Sequence, residues 1–235
     1  MKPNSPTRLA LFDLDHTLLP LDSDYQWAEF LARTGRAGDP EIARQRNEDL
    51  MVRYNEGNLT AEQSAEFMLG LLFPHNPTDL ARWHEDFMRE MIWPAIQPNA
   101  LALVRGHLEA GDLVAIVTAT NSFVTAPIAR ALGVQHLVAT EAEYVGGRYT
   151  GRILGTPSFR EGKITRVQQW LATLGQSLAD YPETWFYSDS MNDLPLLEVV
   201  SHPVAANPSD ELRRIATDRK WRIIDLFSQL ADQKS

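Results

Sequence analysis

Short apolar runs that stop at polar residues recur along the chain. Residues 8–12 empty into Asp13, residues 113–117 into Thr118, and residues 184–187 into Ser188 and Asp189. Continuous apolar runs of this length read as strands of a parallel sheet covered on both faces. Residues 136–139, 203–206 and 221–224 are further candidates, the last at an edge. Between them the apolar positions change to helical spacing. Leu101, Val104 and Leu108 make a stripe ended by Gly111. Ile128, Ala131 and Leu132 make a second ended by Gly133, and Ile164, Val167, Trp170, Leu171 and Leu174 a third ended by Gly175. A glycine just past the last periodic residue is a helix stop signal. Pro127 fits the second stripe only in the helix's first turn. Strands alternating with helices from residue 98 onward predict an α/β fold with a doubly wound, Rossmann-like parallel sheet.

Residues 21–94 have a different pattern, with no strand-like run. Trp27, Phe30 and Leu31 form one helical face, Leu80, Trp83, Phe87 and Met91 another, and Ala61, Ala65, Met68 and Leu72 a third. Thr60 stands as an N-cap with Gln63 completing a capping box. An all-helical unit, 21–94, is therefore expected within a core made of residues 1–20 and 95–235. Gly146-Gly147 between β-forming residues predicts a hairpin, a small ribbon spanning residues 141–156.

Composition narrows the chemistry. The chain has 235 residues and no cysteine, which excludes thiolate metal sites, disulfides and cysteine nucleophiles. A formal charge of −9 lacks the global footprint of a nucleic-acid binder. It leaves room for small anionic substrates held by a metal, a lysine and backbone amides. No apolar run approaches the ~20 residues of a membrane span. The start of the chain carries no signal-like apolar segment, so a cytoplasmic location is expected, with neither membrane nor nucleic acid as partner.

In an open parallel sheet, ligands bind beyond the carboxyl ends of the strands. The polar groups predicted there are Asp13 and Asp15, Thr118, Lys163 at the start of a helix, and Asp189, Asn192 and Asp193. Carboxylates crowded into one cleft require a cation, and an oxygen-rich set suits Mg²⁺. A carboxylate can attack phosphorus, and a second one nearby can exchange protons with the leaving oxygen and with water. Each residue also has a plainer reading. Asp13 and Asp15 could be solvated loop carboxylates, and Asp189, Asn192 and Asp193 could cap the helix at 194–199. Thr118 could be an ordinary strand threonine, and Lys163 a solvated helix lysine.

Asp13-Leu-Asp15-His16-Thr17-Leu18 resembles the DxDxT signature of the haloacid dehalogenase (HAD) superfamily in its phosphatase form. Thr118, Lys163 in Glu161-Gly162-Lys163, and residues 188–193 resemble its second, third and fourth motifs in order and spacing. The helical insertion resembles a C1-type cap, and the ribbon before Lys163 resembles the phosphoserine-phosphatase branch. The resemblance implies Asp13 as nucleophile and metal ligand. It implies Asp15 as general acid/base that also lends its carbonyl to the metal, and Asp189 as the other carboxylate on Mg²⁺. Thr118, the Ala119 amide and Lys163 would hold phosphoryl oxygens. Asn192 and Asp193 would orient metal waters, Lys163 or phosphate, and Thr17 would support the first loop. Ser188, Ala119 and Thr120 depart from the family, which commonly has glycine there.

Asp22 matches by spacing the acidic position that reads a substrate amine in phosphoserine phosphatases. It stands equally as the N-cap of a helix at 25–34. Arg44, Arg46 and Arg53 lie on a solvated helix face, or one points into the cleft to meet a substrate carboxylate. The aromatic stripes read as cap core. The expected activity is Mg²⁺-dependent hydrolysis of a small phosphorylated metabolite, phosphoserine- or histidinol-phosphate-like, through an aspartyl-phosphate. Transfer to an acceptor other than water would use the same residues, and a catalytically silent interaction protein is the reading from a different class.

Overall fold

A computed structural model describes residues 8–56, 58 and 60–227. Strand β1 (Arg8–Phe12) is followed by four helices, α1 (Ser23–Arg33), α2 (Pro40–Asn55), α3 (Ala61–Gly70) and α4 (Pro77–Phe87). The chain then alternates through α5 (Pro98–Glu109), β2 (Leu113–Asn121), α6 (Ser122–Ala131), β3 (His136–Val145) and β4 (Arg148–Leu154). It ends with α7 (Glu161–Thr173), β5 (Glu183–Ser188), α8 (Leu194–Leu197), β6 (His202–Ala206), α9 (Asp210–Asp218) and β7 (Arg222–Ile224). The sheet order is β4-β3-β2-β1-β5-β6-β7, parallel throughout except for the β3–β4 pair. The chain leaves β1 in one direction toward β2 and in the other toward β5. The switch point, where a ligand crevice opens, is therefore at the end of β1.

Alternation along β1 divides the interior. Ala10 and Phe12 enter one apolar cluster, while Leu9 and Leu11 enter the other with Val167, Leu171, Phe186 and Leu212. The first cluster extends beyond the sheet. Trp27, Phe30 and Leu31 of α1 and Leu80 and Phe87 of α4 are buried in it beside Phe12, Ile116 and Tyr187. The Trp27 ring meets Phe87 edge-on at 5.3 Å and stacks on His84 at 5.5 Å. His84 Nε2 lies 2.9 Å from the Val124 carbonyl of α6, and burial holds the imidazole below its ordinary pKa. By contrast, Leu50 of α2 and Met68 of α3 make only a small patch on Ala28.

Several sequence expectations change in detail. The strand at 136–139 and the first half of the ribbon are one strand, β3, whose buried centre grades into exposed residues near Val145. Gly146 and Gly147 both take positive φ, 58° and 80°, as a two-residue hairpin turn requires. Pro127 lies in the second turn of α6, because β2 runs on to Asn121 and the helix starts directly at Ser122. Leu108 faces solvent at 40% exposure, and the inward position of α5 belongs to His107. His107 bridges Asp112 at 2.7 Å and the Tyr187 hydroxyl at 2.8 Å. The capping box of Thr60 and Gln63 forms as expected. Among the described residues no helix is long and apolar enough to cross a membrane.

Candidate active site

The loop after β1 folds back on itself. The Leu14 carbonyl accepts from the amides of Thr17, Leu18 and Leu19, with His16 in the left-handed region at φ 58°. Asn207 after β6 clamps this turn by donating to the carbonyls of His16 and Thr17, both at 3.0 Å. The Asp13 amide continues the sheet by donating to Tyr187. Its carboxylate therefore projects from the sheet edge between β2 and β5.

Lys163 meets it there. Its Nζ lies 2.8 Å from Asp13 Oδ1 and 2.7–2.8 Å from both oxygens of Asp193. Burial by itself would lower the lysine's pKa; Asp13 and Asp193 outweigh that and raise it, so the ammonium form is held. Gly162 sets the approach of α7. A Cβ there would sit 2.2 Å from the Pro157 carbonyl oxygen. Asp193 occupies the N-cap position of α8 yet makes no capping bond. Its carboxylate accepts instead from Lys163 and from the Ser188 hydroxyl at 2.7 Å. The serine that departs from the family's glycine thus acts as an anchor for Asp193.

Thr17 joins Asp13 to Asp189. Its hydroxyl lies 3.2 Å from Asp13 Oδ2 and 3.0 Å from Asp189 Oδ1, and it accepts from the Asp189 amide at 3.0 Å. Burial, then the charge of Asp13, pushes Asp189 up to about 8. Burial and Asp13 likewise carry Asp193 up to about 6, against the pull of Lys163. Asp13 is also raised by burial despite Lys163. Two carboxylates held around one hydroxyl carry more negative charge than a single lysine shared with Asp193 offsets. Among the described residues, no three His, Cys, Asp or Glu side chains form a metal-binding group. Asp13 and Asp189, joined through Thr17, offer only oxygen donors, and such donors fit a small hard cation that keeps waters of its own.

Asp15 is held apart from this network. Oδ1 accepts from the Ser23 amide at 2.8 Å and Oδ2 from the Thr120 hydroxyl at 2.7 Å. Burial, then Asp22, raises it to about 6, a value suited to giving and taking protons near neutrality. Thr120 stands out in the sequence only as a departure from glycine; here it positions Asp15. Thr118 is buried at the end of the regular part of β2, and its hydroxyl accepts from the Thr120 amide at 3.2 Å. Ala119 is exposed on the bulge between them, its carbonyl held by Thr140.

Two predicted residues lie less centrally. Asn192 contacts Arg160 Nε at 3.3 Å through its Oδ1, and its amide donates to Ser190. Arg160, in the left-handed region at φ 49° just before α7, carries no motif signal in the sequence. Asp22 caps α1, accepting from the Tyr25 amide at 2.8 Å. It also lines a cavity of about 110 Å³ beside Ala119 and Thr120. Asp24 lines the same cavity; burial, then Asp22 and Asp15, raises its pKa well above the ordinary value. Arg44 pairs with Glu41 and Glu48, Arg46 and Arg53 face solvent, and none of the three lines the cavity.

Comparisons with known proteins show the family and the fold. Residues 10–198 match the family model for haloacid dehalogenase-like hydrolases. The chain is 42% identical over 218 residues to a histidinol-phosphatase of Neisseria meningitidis, covering 92% of this chain and 98% of the relative. It is 32% identical over 227 residues to a phosphoserine phosphatase of Mycobacterium tuberculosis, covering 95% and 72% respectively. Among solved structures, a protein of unknown function from Bordetella pertussis shares 70% identity at a TM-score of 0.93, over 95% of this chain and all of that one. A substrate-bound phosphoserine phosphatase has the same fold at 19% identity and a TM-score of 0.65, over 95% and 94%.

Proposed function

Because the chain belongs to the haloacid dehalogenase-like hydrolase family, we propose that it is a Mg²⁺-dependent phosphatase working through an aspartyl-phosphate on Asp13. The substrate is a small phosphomonoester, phosphoserine- or histidinol-phosphate-like, and the helices of residues 21–94 act as the cap over the core of residues 1–20 and 95–235. The observation that carries this reading is the triad of Asp13, Lys163 and Asp193 within 2.8 Å at the switch point of the sheet, with Asp15 separately hydrogen-bonded nearby.

Asp13 attacks phosphorus, forming an O–P bond as the ester O–P bond breaks. Protonated Asp15 gives its proton to the departing alkoxide. Water then attacks the phosphoryl group and delivers a proton to Asp15, while the Asp13–phosphorus bond breaks and inorganic phosphate leaves. Thr118, the Ala119 amide and Lys163 hold the phosphoryl oxygens, and Lys163 offsets the charge of Asp13 as the anionic substrate arrives. Asp13, Asp189 and the Asp15 carbonyl would hold Mg²⁺, which when bound supplies positive charge to the phosphoryl oxygens. Asn192 sits at the rim, where with Arg160 it orients phosphate or water.

The test is phosphate release from a panel of small phosphomonoesters, with Mg²⁺ and with EDTA, using Asp13→Asn as the blank. Release that needs Mg²⁺ and falls at least roughly 10⁴-fold in the variant is expected. Full activity in EDTA would remove the metal, and appreciable turnover by folded Asp13→Asn would remove the nucleophile.

A further inference from the structure

A cavity lies beside Ala119 and Thr120. Its wall includes Asp22 and Asp24 from α1, Met51 from α2, Ser64 and Met68 from α3, and Phe159 ahead of α7. At about 110 Å³ it is small, well below the ~300 Å³ where pockets for larger ligands begin. Among the described residues, no lysine, arginine or histidine lines it.

Among the described residues, the two carboxylates also have no cationic side chain elsewhere. Asp24 Oδ1 accepts from Asn121 Nδ2 at 2.8 Å, and Asp22 Oδ1 accepts from the Tyr25 amide. Among the described residues neither they nor Asp15 make a salt bridge, and Lys163 is committed to Asp13 and Asp193. An asparagine in place of Asp24 could keep the Asn121 bond, because its carbonyl oxygen would accept equally well. A capping role for α1 is already met by Asp22. Beyond its favourable place in the first turn of α1, the charge at Asp24 has no salt-bridge partner among the described residues, and holding it half-buried without a cation is costly.

A cation entering the cavity would be attracted by both carboxylates, and a carboxylate entering it would be repelled. Phosphoserine carries an amine and a carboxylate on one carbon. Histidinol phosphate carries the amine and a flat, weakly basic ring in place of that carboxylate. Thioethers and an aromatic face are suitable neighbours for a flat ring.

Resting on the phosphatase reading above, we propose that Asp24, together with Asp22, selects phosphomonoesters of amino alcohols that lack a carboxylate, with a flat ring seated between Met51, Met68 and Phe159. Asp24 is a binding residue for the substrate cation. The site thereby rejects phosphoserine.

The experiment compares kcat/KM of the Mg²⁺-loaded wild type for histidinol phosphate, phosphoserine and phenyl phosphate. Histidinol phosphate is expected to exceed phosphoserine by roughly 100-fold or more, the scale of a like-charge clash. Asp24→Asn is expected to lower the value for histidinol phosphate at least about tenfold more than that for phenyl phosphate, mainly through KM. Equal or better use of phosphoserine by the wild type overturns the proposal. An equal loss on both esters in the variant also overturns it, leaving Asp24 a helix residue only.

Calorimetry of the wild type with histidinol and with serine needs neither turnover nor a variant. Tighter binding of histidinol supports the proposal, and equal or tighter binding of serine overturns it. Absence of hydrolysis of phenyl phosphate along with the others would instead refute the phosphatase reading, while the calorimetry still decides the cavity.

Discussion

Two groups of carboxylates, one buried and one half-buried, are treated in opposite ways. Asp13 and Asp193 share the Lys163 ammonium, and Ser188 and Thr17 satisfy further oxygens. Asp15, Asp22 and Asp24 have hydrogen-bond donors but, among the described residues, no cationic side chain. The first group has a cation built into the fold, though one lysine does not offset both carboxylates. The second stays deficient until something positive arrives from outside. Holding carboxylates half-buried without a cation costs stability, so the second group is where the structure points to a ligand group beyond phosphate and metal.

Removing the cation of the first group should have the largest effect. Lys163→Met would leave Asp13 and Asp193 buried without their counter-charge, and loss of one partner from a buried pair costs about 3–5 kcal/mol. Urea unfolding should show that loss, together with the disappearance of phosphate release. A midpoint equal to the wild type would mean the network contributes nothing to folding.

A smaller perturbation reaches the same group through the backbone. Gly162→Ala puts a methyl 2.2 Å from the Pro157 carbonyl oxygen, and the start of α7 must shift. An overpacking cost of about 1–3 kcal/mol and a lower kcat follow, read from thermal unfolding and phosphate release. Unchanged values would show that the Pro157 loop yields freely and Lys163 is not held by this contact.

The smallest effect has the opposite sign. Burial, then Asp22 and Asp15, raises Asp24 above 3.8. Between that value and the raised one, the folded chain binds more protons at Asp24 than the unfolded chain does. Stability therefore falls as pH rises through the window. Asp24→Asn removes this loss. Without ligand, the variant should melt higher than the wild type at about pH 8, by about 2–4 °C in Tm for a difference near 1 kcal/mol. The gap should close toward about pH 4. A variant no more stable at the higher pH would break the contrast between the two groups.

Much of the site is legible without the structure, though unevenly. Asp13, Asp15 and Asp189 stand at the ends of apolar runs, where the chain must leave a buried sheet. Lys163 and Asp193 are legible through spacing against a known motif, and the structure removes the plainer reading of Asp193 as a cap. Asp24 does not stand out. An acidic residue in a helix's first turn is ordinary, because it favours the dipole. Thr120 and Ser188 show only as departures from glycine, and their hydroxyls prove to hold Asp15 and Asp193. The helical stripe of α5 misleads at Leu108, since His107 can be assigned inward only once Asp112 and Tyr187 are in place.

The sequence by itself determined the elements and their order. Burial periodicity and helix caps are local, acting over a few residues, and they are written wherever those residues stand. It also determined that carboxylates would gather at one sheet edge, because parallel strands all end on the same side. Only the tertiary structure decided which carboxylates receive a cation. Lys163 pairs with Asp13 across 150 positions of sequence, and Thr120 reaches Asp15 across 105. Electrostatic pairing depends on distances of a few ångströms and on the exclusion of water. Both are set when helices, loops and sheet pack together.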